Sequence, residues 1–160
     1  AVFMEDKNMQ PDLHGSEYVL ERQLKPEARK DVVEMFKKMD LKPTSMIDIS
    51  DGLSSELLHL AKSSDAGLQV YEEKIPVDPT VMTIAEEFNL NGVTCALNGG
   101  EDYELLFTVA QNDYEKIKAN PNMTIIGYMT EKSSGVHLIT HDAKAIPLTA
   151  QGWNSHQKDA

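Results

Sequence analysis

Residues 45–53, Ser-Met-Ile-Asp-Ile-Ser-Asp-Gly-Leu, constrain the fold more than any other stretch, because the hydrophobic period changes within them. Met46, Asp48 and Ser50 fall on one side of an extended chain, with Ile47 and Ile49 on the other, which is the two-residue period of a strand. From about Leu53 onward, Leu57, Leu58, Leu60 and Ala61 recur at helical spacing. The chain must therefore pass from a strand straight into a helix, and Gly52 relaxes the backbone at the junction. A strand end that feeds a helix start gathers free N–H groups and the positive end of the helix dipole beside two carboxylates, Asp48 and Asp51.

Similar changes of period recur along the chain. Pro26 suits a first helical position, and Ala28, Val32, Val33, Phe36 and Met39 give an amphipathic helix over 26–39. Residues 18–24 form only a short mixed run. Gly67 is expected to stop the helix that starts near Leu53, and 68–71 reads as a strand. A third helix is expected over 79–88, closed by a turn at Asn91-Gly92. Residues 103–109 are the clearest strand, and a helix capped by Asn112 runs to Ala119 before Pro121 breaks it. Strands over 124–128, 136–140 and 145–148 end the chain. Early alternation followed by a hairpin-rich end predicts an α+β domain, a layered α/β/α arrangement in which helices cover a mixed sheet. The 160 residues suit one such domain, 17–160, after a short leading segment, 1–16.

The charge narrows the function. The net charge is -11, which repels phosphate backbones and anionic lipid, so neither nucleic acid nor membrane is an expected partner. No apolar run approaches the roughly 20 residues that cross a bilayer. The first residues lack the basic and apolar regions of a signal peptide. Cys95 stands alone, which excludes an intrachain disulfide, and a cytoplasmic location is expected. The acidic excess concentrates in residues 51–110. It reads either as a solvated face or as a set of carboxylates that hold divalent cations.

Two motifs carry candidate chemistry. In the first, Asp48, Ser50 and Asp51 would bind Mg²⁺ and a phosphate at the helix start, or would serve simply as caps. An Asp48 inside an apolar strand favours the first reading, since a buried carboxylate is costly without a partner. The second motif is Asn98-Gly99-Gly100-Glu101-Asp102-Tyr103-Glu104. Its paired glycines permit close backbone approach, and its three carboxylates invite a cation; the alternative is a turn leading into a strand. No P-loop and no Gly-x-Gly-x-x-Gly run is present. His137 and His141 fall on a strand and a turn, which argues against zinc.

These motifs, followed by Gly152-Trp153 and preceded by Tyr18-Val19-Leu20-Glu21-Arg22-Gln23-Leu24-Lys25-Pro26, occur in the order found in one family. The chain resembles the C-terminal half of bacterial thiamine-monophosphate kinase, within the aminoimidazole-ribonucleotide-synthetase-like enzymes. The resemblance implies a transferase that moves the γ-phosphoryl group of ATP directly to thiamine monophosphate, giving thiamine diphosphate with the help of Mg²⁺. By position it implies Asp48 and Asp51 as magnesium ligands and Ser50 as a nucleotide contact. It also implies Glu101 and Trp153 as substrate contacts. A carboxylate suits the cationic thiazolium, and an indole packs on a flat heterocycle. The tail Asn154-Ser155-His156 departs from the family's more acidic and aromatic ending. The N-terminal half, which in the family supplies most nucleotide contacts and the homodimer interface, has no counterpart here, so these residues alone are expected to be inactive. Two alternatives remain: a selenophosphate or purine-pathway synthetase of the same superfamily, and a non-catalytic binding module.

Overall fold

The computed structural model describes residues 17–149. In order, the elements are α1 (Glu17–Leu24), α2 (Lys30–Lys38), β1 (Ser45–Asp48), α3 (Leu53–Ser63), β2 (Gly67–Tyr71), α4 (Pro79–Glu87), α5 (Gly92–Asn98), β3 (Leu105–Thr108), α6 (Tyr114–Lys118), β4 (Gly127–Thr130), β5 (Val136–Ile139) and β6 (Ala145–Pro147). The expected α+β class holds, but the strands divide into two sheets. One has four strands in the order β4-β2-β5-β6, with β2 and β5 parallel and the remaining pairs antiparallel. The other is an antiparallel pair, β1 and β3, in which Ile47 lies opposite Leu106 and Asp48 opposite Leu105.

The larger core lies where α3 packs on the four-stranded sheet. Leu53, Leu57, Leu60 and Ala61 of α3 meet Leu68 and Val70 of β2, Leu138 of β5 and Leu97 of α5, with Ile49 and Ile75 closing the cluster. Of the expected stripe, Leu57, Leu60 and Ala61 are buried, whereas Leu58 is half-buried and stays outside the cluster; Leu53 takes its place, in phase with Leu57 and Leu60. A smaller core joins Val32 and Phe36 of α2 to Leu41 and Ile117, with Leu105 and Phe107 of β3 against it. Phe36 and Phe107 meet edge to face, their centroids 4.9 Å apart. The β1–β3 pair thus stands between the cores, turning Ile47 and Leu106 to the larger and Phe107 to the smaller.

Several boundaries differ from the sequence expectation. The helix expected from Pro26 begins at Lys30, with Arg29 at its cap and no side-chain cap bond. The helix from Leu53 ends at Ser63, before Gly67: Asp65 takes the left-handed conformation, φ 50°, and Gly67 opens β2. Asn91-Gly92 is no simple turn, because the Asn91 side chain accepts a 2.9 Å bond from Thr94 N–H and starts α5. Residues 18–24 lie within a helix, α1. The 124–128 strand is displaced to Gly127–Thr130, where it pairs with β2.

Candidate functional site

The two motifs, far apart in sequence, are joined by backbone hydrogen bonds. Beyond the β1–β3 ladder, Ile49 N–H donates to the Glu104 carbonyl at 2.9 Å, Tyr103 N–H to Ile49 at 2.8 Å, and Glu101 N–H to Ser50 at 2.7 Å. The 98–104 run therefore lies along the end of β1, where the chain turns into α3. Gly100 makes this approach possible, since a Cβ there would sit 2.6 Å from the Ser50 carbonyl oxygen. Glu101 and Tyr103 both adopt left-handed backbone, φ 66° and 54°, a conformation uncommon for residues with a side chain. Two such residues flanking Asp102 mark a loop over-determined by its surroundings, a recurrent property of ligand sites.

At the elbow itself, Gly52 has φ 105° and ψ 150°, a region open essentially to glycine. Its carbonyl accepts from Ser55 and Glu56 N–H, starting α3. Asp48 and Asp51 are both exposed. This corrects the expectation of a buried Asp48: the alternation along β1 places it opposite the Ile47 face, as predicted, but among the described residues α2 covers that face over β3, at Leu105 and Phe107, and leaves Asp48 exposed. Ser50 is half-buried, and its Oγ donates to Glu56 Oε1 at 3.3 Å. Asp51 N–H donates to the same oxygen at 3.2 Å.

Glu56 is only 3% exposed, and sequence reasoning missed it. A signal existed: with Leu53, Leu57 and Leu60 it occupies positions i, i+3, i+4 and i+7, so it lies in phase with the buried stripe. Arg22 and Arg29 also have partners that the sequence did not reveal. Arg22 Nη2 donates to Glu104 Oε1 at 2.6 Å, and Arg29 Nη1 donates to Glu104 Oε2. Arg29 further forks onto Asp31, Nε to Oδ1 at 3.0 Å and Nη2 to Oδ2 at 3.1 Å. The clamp ties α1 and the start of α2 to the second motif.

The charges respond to this setting. The Arg29 guanidinium holds the Asp31 carboxyl below its ordinary range through their hydrogen bonds. Arg29 is itself raised, chiefly by Asp31 and further by Glu104, with desolvation opposing. Asp102 moves upward; desolvation by neighbouring protein is the main cause, the Glu104 charge adds to it, and Arg22 opposes it. Among the described residues, no three His, Cys, Asp or Glu side chains converge into a cage for a cation. Asp48 and Asp51 are nonetheless hard oxygen donors at one strand end, and Mg²⁺ is commonly held by one or two carboxylates together with water and substrate phosphates. The donor set fits an ion shared with a phosphate. Glu101 is exposed at the rim of the same loop. Trp153 lies outside the described residues.

No protein-family model matches the chain. The thiamine-monophosphate kinase of Aquifex aeolicus (strain VF5) is 35% identical over 137 residues, which are 84% of this chain and 40% of that protein. A solved structure of thiamine monophosphate kinase from Aquifex aeolicus superposes with a TM-score of 0.69 at 31% identity, covering 87% of this chain and 44% of its own. A structure of AaThiL complexed with AMPPCP and TMP gives 0.68 at 32% identity, covering 91% and 43%. The chain spans less than half the length of these proteins.

Proposed function

Since the chain is homologous to the C-terminal part of the thiamine-monophosphate kinases, we propose that the protein containing it transfers the γ-phosphoryl group of ATP to thiamine monophosphate. A phosphate oxygen of thiamine monophosphate forms the new bond to the γ-phosphorus, the bond from that phosphorus to the β,γ-bridging oxygen breaks, and ADP leaves. The homology carries this reading. The geometry supports it, because the Asp48–Gly52 elbow and the Gly99–Glu104 loop meet at one strand end.

The residues take the following parts. Asp48 and Asp51 hold Mg²⁺ together with the nucleotide phosphates; that ion, when bound, neutralises charge that develops on the transferred group. Ser50 directs its hydroxyl proton at Glu56, so it offers lone pairs to a nucleotide donor group. Glu101, exposed on its left-handed turn, faces the thiazolium cation, and Trp153 packs on the substrate ring. The protein works in the cytoplasm as a homodimer, and residues beyond this chain complete the nucleotide site, so these 160 residues alone are inactive. Among the described residues no helix is long and apolar enough to cross a membrane.

The test is turnover of MgATP and thiamine monophosphate by the whole protein beside its Asp51→Asn variant. The parent should form thiamine diphosphate, and the folded variant should lose about 10²–10³-fold in kcat, the usual scale for removing one charge-stabilising element of a preorganised site. A folded, magnesium-supplied parent that forms no product overturns the substrate assignment. A variant with full activity overturns the role of Asp51.

A further inference from the structure

We propose that Glu56 is a positioning residue that holds Ser50 and Asp51 in their working orientation; as to catalysis, this rests on the kinase reading above. The argument begins with cost. Glu56 lies on the buried stripe of α3 between Leu53 and Leu57, at 3% exposure. A carboxylate there is unfavourable unless its oxygens are bonded, and a methionine of similar length would suit the helix and the core equally well. Helix stability therefore does not account for it.

Its bonds do. The Oε1 atom accepts from Ser50 Oγ and from Asp51 N–H, so both contacts go to the elbow. Asp51 sits where the ladder has ended and α3 has not begun: β1 closes at Asp48, Gly52 caps the helix, and its positive φ swings the chain away from strand geometry. Its N–H would otherwise be an orphan of the kind that helix starts create. In a capping box, a carboxylate at the third helical position reaches back to the cap residue's N–H. Here the fourth helical residue reaches one residue further, to the amide preceding the cap and to the hydroxyl beside it. One oxygen thus fixes the backbone that carries the Asp51 carboxylate and the rotor that decides which way the Ser50 lone pairs face. These are the two groups the kinase reading places against the cation and the nucleotide, while Glu56 itself stays inside the protein.

Two variants separate positioning from mere packing: Glu56→Gln keeps an Oε1 acceptor, and Glu56→Met keeps the length and removes it. In the whole protein, amide exchange at Asp51 should be slowed about tenfold or more relative to an unprotected amide, a protection kept by Glu56→Gln and lost in Glu56→Met. That readout needs no turnover, so a parent with no kinase activity but this exchange pattern would overturn the kinase reading and leave the positioning role standing. In kinetics, Glu56→Met should lower kcat about tenfold with KM for thiamine monophosphate within about twofold, and Glu56→Gln should recover most of the loss. Combined with Asp51→Asn, Glu56→Met should add almost nothing, because both act through one unit. An unprotected Asp51 amide in the parent overturns the proposal, and that measurement stands even if Glu56→Met does not fold. Equal protection in parent and folded Glu56→Met overturns it too, as do losses that multiply in the double variant.

Discussion

On β2 of the four-stranded sheet, Leu68 and Val70 are each 2% exposed, whereas on β1 of the two-stranded pair Met46 is 48% exposed and Asp48 is open as well. Both strands alternate, but the β1 face that carries Met46 and Asp48 is the one turned away from the larger core. Coverage creates the difference. β2 is bordered by strands on both edges and by α3 on a face. Among the described residues β1 has a single hydrogen-bonded neighbour, and α2 reaches the β3 side of the outer face, through Phe36 and Phe107. The open half is where the carboxylates of the first motif stand. The fold therefore concentrates packing in one sheet and leaves polar groups and unusual backbone in the other, the distribution expected when a rigid scaffold presents a ligand site.

The comparison breaks most visibly under truncation. Leu68→Ala should destabilise the protein by about 2–5 kcal/mol in denaturant unfolding, the range for opening a cavity in a closed core. Met46→Ala should stay within about 0.5 kcal/mol, as surface changes do. A Met46 cost similar to that of Leu68 would show that another surface covers β1 in the whole protein. Gly52→Ala comes next, at about 1–3 kcal/mol, because the side chain must enter a glycine-only backbone region with its Cβ 3.0 Å from the Leu97 carbonyl oxygen. Its damage should centre on the elbow, read as faster amide exchange at Ser55 and Glu56 with the β2 amides unchanged. Uniform acceleration across both sheets would mean that the two regions open as one unit.

The smallest effect sharpens the electrostatic side. The folded state raises the Asp102 pKa above its ordinary 3.8, so the ionised form is the disfavoured one there. Stability is therefore reduced at pH values above the folded pKa and regained as pH falls through it. Asp102→Asn should raise the melting temperature at neutral pH by an amount worth under about 0.5 kcal/mol, since the side chain keeps contact with solvent, which screens its charge. The gain should disappear below pH 3.8. A gain that persists in acid would assign the effect to something other than the carboxylate's charge.

Much of this was legible in the order of residues. The strand-to-helix junction, the α3 stripe and the Gly-Gly run each follow from a short-range rule, because period and backbone freedom are properties of neighbouring residues. The α5 helix escaped notice because Asn-Gly is a turn signal and only six residues follow it before Gly99. Asn91 shows the limit of such signals, since one side chain serves a turn or a cap according to what the next residues pack against. Glu56 escaped because a polar residue in a helix is read as surface unless its phase with the apolar stripe is taken seriously. The pairings of Arg22 and Arg29 are not legible in the sequence because Glu104, their shared partner, is far away in the chain.

The sequence by itself determined the α+β class, the elbow at Gly52 and the two motifs where chemistry is proposed, all through local periodicity and backbone preference. Only the tertiary structure decided that the strands form two sheets, that Asp48 faces outward while Glu56 faces inward, and that the two motifs share one strand end. Those outcomes depend on which distant segments meet, and long-range pairing is set by the summed burial and hydrogen bonding of the whole chain rather than by any one stretch of it.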